Sequence, residues 1–312
     1  MRQINVFQNN LVSVIIPALN AEKFIESAIA SVLEQTYKNL ELIIVDDGST
    51  DSTAAVVKET MNADARIKYQ YQRNSGPGNA RNTGIKLSEG NLLAFLDADD
   101  LWLPSKLDIS IHELLINNVD LVFTNAAVIL RDIDHIYKDM GVVSNKYFGE
   151  RGIISFLDQN KIPTSTVVLK KEAYLKTEGF KDVYLAEDYD LWLQLLEAGC
   201  ILKSIDKPLS IYRLHRNSLT NEDRLVSFNT ILVIKSFLSK NPEYVNRIRY
   251  SLRQKIKNWL YSAKDVSPDR LRILISGMKP SKHYKIFYLL SYVLPFNLLR
   301  KIINNTLLKG VF

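Results

Sequence analysis

Asp97, Asp99 and Asp100 stand within four positions, directly after the apolar run Leu92-Leu93-Ala94-Phe95-Leu96. A carboxylate cluster this dense calls for a cation. Two Asp residues two apart in extended chain point the same way, so Asp97 and Asp99 can share one hard divalent ion whose shell is completed by phosphate oxygens. Asp100 points the other way, towards placing a ligand or capping the helix that follows Pro104. A second acidic cluster, Asp46-Asp47-Gly48-Ser49-Thr50-Asp51, closes the apolar run Leu40–Val45. There an Asp can accept from the N–H of a pyrimidine or from ribose hydroxyls, Gly48 allows close backbone approach, and Ser49 or Asp51 suits a helix cap. A third acidic pair, Glu187-Asp188, read alone, is more often the acidic first turn of a helix than a proton acceptor.

The elements that must carry these groups follow a regular alternation. Apolar β-branched strands at Leu11–Ile16, Leu40–Val45, Ile67–Gln72 and Leu92–Leu96 alternate with amphipathic stretches at Glu22–Gln35, after Ser52, and at Asn79–Leu87. That is the pattern of a parallel α/β sheet, whose ligands lie beyond the carboxyl ends of its strands, where both acidic clusters fall. From Leu107 to Arg213 the pattern is mixed: a helix to Asn117, strands at Leu121–Thr124 and Thr166–Leu169, a helix from Asp188 to Ala198, and short strands to Tyr212. A domain boundary is expected near residue 220. Residues 221–312 read as basic helices broken at Pro242, Pro268, Pro280 and Pro295.

Charge divides at the same place. Residues 1–220 carry 23 Lys and Arg against 29 Asp and Glu, a net of −6, whereas residues 221–312 carry 17 against 5, a net of +12. A basic tail on an acidic body points away from nucleic acid and towards docking on an anionic membrane surface; packing on the body or on a second copy of the chain is the alternative. The basic and aromatic residues of Lys255–Tyr261 and Lys282–Tyr288 suit a bilayer interface, while the apolar stretch Ile286–Leu299 is too short to span one. The apolar run near the amino terminus is broken by Pro17, unlike the core of a signal peptide, and Cys200 is the single cysteine. A cytoplasmic protein, peripheral at the membrane, is expected.

Two nucleotide-binding devices are missing. The turn after the first strand, Pro17-Ala18-Leu19-Asn20, contains no glycine, and no Gly-Lys-Ser/Thr occurs, so neither a dinucleotide fingerprint nor a P-loop is present. Gly76-Pro77-Gly78 reads as a turn. Without a glycine cradle, a metal held by Asp97 and Asp99 is the natural partner of a diphosphate.

Together, Val14–Asn20, Ser31–Gln35, Val45–Asp51, Gly78–Asn82, Leu96–Asp100, Ala186–Trp192 and Tyr212–His215 resemble, in order, the motif series of glycosyltransferase family 2, inverting enzymes of the GT-A fold. The resemblance covers about residues 11–220. It implies nucleotide contacts at Pro17, Asn20, Asp46, Asp47 and Arg81. It also implies Mg²⁺ or Mn²⁺ and the donor diphosphate at Asp97 and Asp99, aided by His215, with Asp100, Trp102 and Arg213 near the donor sugar. Asp188 matches the general base, with Glu187 as the second assignment. The implied reaction moves a hexose from a nucleotide-sugar donor, UDP-linked by expectation, to a saccharide or lipid-linked saccharide in surface-polysaccharide synthesis. The rivals are a sugar-nucleotide nucleotidyltransferase, which would carry a Gly-rich basic loop after the first strand, and a non-catalytic membrane scaffold.

Overall fold

The computed structural model describes residues 10–130, 133–183, 185–215 and 223–262. Lys282–Tyr288 and Ile286–Leu299 lie outside them. The chain divides into two compact units, residues 1–218 and 219–312.

The first unit is organised by one sheet. Strands β1 (Val12–Ala18), β2 (Leu40–Asp46), β3 (Ile67–Tyr71) and β4 (Leu92–Phe95) lie in the order β3-β2-β1-β4, all parallel. They have little side-chain alternation because β1, β2 and β4 are buried on both faces. Between them run α1 (Ile25–Leu33), α2 (Thr53–Ala63) and α3 (Pro77–Leu87). α1 opens at Ile25, three residues later than the expected Glu22, because residues 21–24 form a turn in which Ile25 N–H bonds the Ala21 carbonyl.

Register decides where the strands stop. Ala18 stands opposite Asp46 and Ile15 opposite Phe95, and Asp47 N–H and Leu96 N–H continue the pairing to the Ala18 and Ile15 carbonyls. Both acidic clusters therefore leave the sheet at one edge.

The second half reverses a strand. β9 (Val167–Lys170) inserts antiparallel between β4 and β6 (Leu121–Leu130), so its beginning, not its end, reaches the edge where Asp97 emerges. β10 (Leu202–Leu214) then runs parallel to β6 and pairs antiparallel with β5 (Leu101–Trp102). Two expectations change here. The strand from Leu121 extends to Leu130, and the expected short strands before Tyr212 are one strand whose register shifts around Pro208, where the missing N–H interrupts the ladder. β7 (Ile133–Asp139) and β8 (Asn145–Tyr147) pair with β6 and β10. α4 (Lys106–Ile116), α5 (Gly149–Asp158), α6 (Lys171–Tyr174) and α7 (Glu187–Glu197) complete the unit. Gln35 ties α1 to the start of α4, donating to the Leu103 carbonyl at 2.8 Å and accepting Leu107 N–H at 2.9 Å.

In the second unit, α8 (Asp223–Lys240) and α9 (Val245–Ser262) pack with Phe228 against Trp259 at 5.2 Å between ring centroids. Trp259 is buried, so that ring of the basic-aromatic stretch is spent on packing rather than presented outward. Among the described residues no helix is long and apolar enough to cross a membrane.

Candidate active site

The Asp46-Asp47 cluster is closed from within. Asp46 is fully buried, accepting Ser49 N–H at 2.8 Å and the Tyr69 hydroxyl at 2.7 Å, and burial together with that carboxylate raises the Tyr69 phenol above its ordinary range. Asp47 accepts Gln72 Nε2 at 2.7 Å, Ser75 N–H at 2.9 Å and Gly76 N–H at 2.8 Å, so it braces the loop after β3. Gly48 is at φ +87°, and a Cβ there would lie 2.9 Å from Asn74 N, which is why this turn takes glycine. Asn20, itself at φ 50°, pins the facing turn: its N–H donates to Ser49 Oγ and its Oδ1 accepts Thr50 N–H at 2.8 Å. Pro17 lies opposite Val45 in the sheet, one residue short of this edge. Gly76-Pro77-Gly78 is the start of α3, with Pro77 in its first turn, where a missing N–H costs nothing.

The Asp97–Asp100 cluster is open. Asp97 and Asp99 keep about a third of their side-chain surface, 32% and 35%. Burial and the neighbouring Asp97 raise the Asp99 carboxyl, opposed by His215, whose Nε2 lies 2.8 Å from Asp99 Oδ2. His215 stacks on Phe24 at 4.7 Å. Arg213 lies over the same ring, donating through Nε to the Asp99 carbonyl and through Nη1 to Ser27. Asp100 turns inward: it is buried, accepts Ser165 Oγ at 2.6 Å and Arg213 N–H at 3.1 Å, and burial beside Asp97 and Asp99 pushes it well above the usual carboxylate range. It does not cap the next helix: Ser105 holds the N-cap position of α4, and no side chain caps it. Trp102 is likewise buried, its Nε1 donating to the Ser165 carbonyl at 2.7 Å and Lys106 Nζ 4.0 Å above its ring.

Arg81 joins this cluster to the third. Buried on α3, it pairs with Asp97 at 2.6 Å and Glu187 at 2.9 Å. Gly78 lets the helix come this near, because a Cβ would lie 3.0 Å from Glu187 Cγ. Asp97, Glu187 and Asp188 together outweigh the burial that opposes the Arg81 charge. α7 is entered through Leu185 at φ 61°, a left-handed conformation that costs a non-glycine residue about 1–2 kcal/mol. Asp188 accepts Thr164 Oγ1 at 3.0 Å and Tyr189 N–H at 2.5 Å. Burial and the adjacent Glu187 raise it to about 7, opposed by Arg81. A carboxyl poised there exchanges a proton near neutral pH.

The structure thus brings together Asp97, Asp99, Arg81, Glu187, Arg213 and His215, with Asp188 beside Glu187, and places Asp46, Asp100 and Trp102 behind the surface. Phe24, Thr164 and Ser165 belong to the site without any sequence motif announcing them; each acts through a tertiary contact.

The chain is similar in sequence and in fold to known proteins. The family model for glycosyl transferase family 2 matches residues 13–176. WfgD of Escherichia coli, a UDP-Glc:alpha-D-GlcNAc-diphosphoundecaprenol beta-1,3-glucosyltransferase, is 36% identical over 217 residues, 68% of this chain and 80% of its own. Staphylococcus aureus TarS, solved with UDP, superimposes with a TM-score of 0.59 at 16% identity, covering 94% of this chain and 91% of that one. The mannosyltransferase PcManGT of Pyrobaculum calidifontis, solved with GDP-Man and Mn²⁺, gives 0.58 at 17%, covering 95% and 87%.

Proposed function

The chain belongs to glycosyltransferase family 2, and from that premise we propose that it transfers a hexose from a UDP-linked donor, with inversion, to a lipid-linked saccharide in cell-surface polysaccharide synthesis. The observation that carries this reading is the pairing of two unlike acidic sites through Arg81: a partly open carboxylate pair on one side, a carboxyl titrating at about 7 on the other. WfgD's donor and acceptor supply the substrate class.

Inversion is one in-line displacement. The acceptor oxygen forms its bond to the anomeric carbon as the bond from that carbon to the diphosphate oxygen breaks, its electron pair leaving with the nucleoside diphosphate. The acceptor's proton goes to Asp188, whose carboxylate is a competent base at neutral pH. Glu187 is committed to Arg81 and serves as its counter-charge rather than as the base. Asp47 keeps the 72–76 loop in place as a wall for the nucleotide.

The residues fit a hard divalent ion. Asp97 and Asp99 are oxygen donors about a third exposed; burial and Asp97 raise the Asp99 carboxyl, a conflict a cation relieves, and His215 lies against Asp99. Among the described residues no three His, Cys, Asp or Glu side chains are grouped so that they could hold a metal ion by themselves. Mg²⁺ or Mn²⁺ held there would supply charge neutralisation for the departing diphosphate. The net charge of +12 on residues 221–312 supports a place at the anionic inner face of the membrane, where a lipid-linked acceptor is presented.

Release of nucleoside diphosphate on mixing the protein with UDP-, GDP- and dTDP-sugars, Mn²⁺ and a lipid-diphosphate saccharide tests the assignment. A UDP-sugar is expected to be turned over; no release and no thermal stabilisation with any donor would sink it.

A further inference from the structure

Thr164-Ser165-Thr166 forms a single 3₁₀ turn immediately before β9, and its three residues are buried, at 7%, 3% and 0% exposure. Buried hydroxyls must find partners, and where they find them is informative. Thr166 closes the turn on itself, donating to the Pro163 carbonyl at 2.7 Å. The other two reach out. Thr164 Oγ1 donates to Asp188 Oδ2 at 3.0 Å, and Ser165 Oγ donates to Asp100 Oδ2 at 2.6 Å while accepting Asp97 N–H at 3.1 Å. The Ser165 carbonyl also accepts from Trp102 Nε1 at 2.7 Å and from Ser210 Oγ at 3.2 Å, which fastens the turn to β5 and β10.

Two consecutive residues thus grip the two sides of the reaction. We propose that Thr164 is a positioning residue for Asp188, and that the Thr164-Ser165 turn sets where that carboxylate stands relative to the Asp97–Asp100 segment. The inference rests on the glycosyltransferase reading above. Its physical basis is rotation of the carboxylate. Tyr189 N–H holds Oδ1 from within the same helix, and Thr164 holds Oδ2 from another element. With only the first bond the plane can swing about χ2; with both, the lone pair that meets the acceptor proton has one direction. Displacing a reacting group by about 1 Å can cost about a hundredfold in rate.

Thr164→Val removes the donor at nearly constant volume, and Thr164→Ser restores it. In the full chain, with donor and acceptor varied separately, Thr164→Val is expected to lower kcat about tenfold while donor KM stays within about twofold, and Thr164→Ser to recover most of the loss. If Thr164→Val does not fold, Thr164→Ala removes the same donor and takes its place. Wild-type kcat in the variant lacking the hydroxyl, an equal loss in Thr164→Ser, or a rise in donor KM that matches the fall in kcat would each overturn the proposal. Asp188→Asn, run alongside, separates the layers. If it turns over at the wild-type rate, the base assignment fails and takes this inference with it. If it is inactive while Thr164→Val is unimpaired, the inference fails alone.

Discussion

Asp46-Asp47 and Asp97–Asp100 end β2 and β4, the two strands that flank β1 in one sheet, and look alike on paper, yet the fold treats them oppositely. The first pair is consumed by the protein: Ser49, Tyr69, Gln72, Ser75 and Gly76 satisfy its oxygens, and it shapes two loops. The second is left incomplete, with Asp97 and Asp99 a third exposed and repelling each other. A carboxylate whose partners are all supplied by the chain builds structure; one that the chain leaves under-compensated is available to a ligand.

Substitutions should separate the two clusters by what they damage. Asp99→Ala is expected to lower turnover about a thousandfold in the presence of Mn²⁺, with the thermal midpoint unchanged or raised, since the variant removes a carboxyl that burial and Asp97 disfavour as an anion. A comparable loss of fold would erase the distinction drawn above. Asp188→Asn, across the Arg81 bridge, should cost about a hundredfold in kcat. Asp46→Ala acts on the other quantity. It strands Ser49 N–H and the Tyr69 hydroxyl, and urea unfolding should show a loss of about 2–3 kcal/mol.

The same Asp188→Asn protein carries a smaller, pH-dependent effect. The folded carboxyl titrates at about 7 against an ordinary 3.8, so between those values the unfolded chain gives up its proton before the folded one does. Wild-type stability therefore falls as pH rises through that window, and Asn is spared the fall. The variant should melt a few degrees above wild type at pH 8 and level with it near pH 4, while wild-type kcat declines as pH drops below about 7. The mildest test is Gly48→Ala, where a positive φ and the nearby Asn74 amide predict a loss of about 1–2 kcal/mol.

What sequence reasoning could reach follows from range. β1, β2 and β4 announce themselves by unbroken apolar runs, and the acidic groups at their ends inherit a place from parallel-sheet topology. β10 was legible only in pieces, because Lys203, Asp206 and Lys207 break its apolar run and Pro208 its hydrogen-bond ladder. α5 goes unannounced because Gly149 and Gly152 interrupt its helical pattern. Within the site, residue types could nominate Asp97, Asp99 and Asp188, but not say that Asp100 faces inward or that Arg81 serves two carboxylates. Those facts come from partners such as Ser165, 65 positions from Asp100, and Glu187, 106 from Arg81. No local pattern encodes such distances.

The placement of β10 has a consequence for how the protein is made. Chains are synthesised from the amino terminus, and early segments begin to fold before later ones exist. Asp97, Asp99 and Asp100 are on the chain long before residue 202, yet the N–H that holds Asp100 and the imidazole beside Asp99 arrive only with Arg213 and His215, at the last strand of the sheet. Until that strand docks on β6, the three carboxylates crowd together with much of their compensation unmade. A chain ending before residue 202 therefore lacks both the Arg213 N–H that Asp100 accepts and the His215 imidazole that Asp99 meets in the finished sheet.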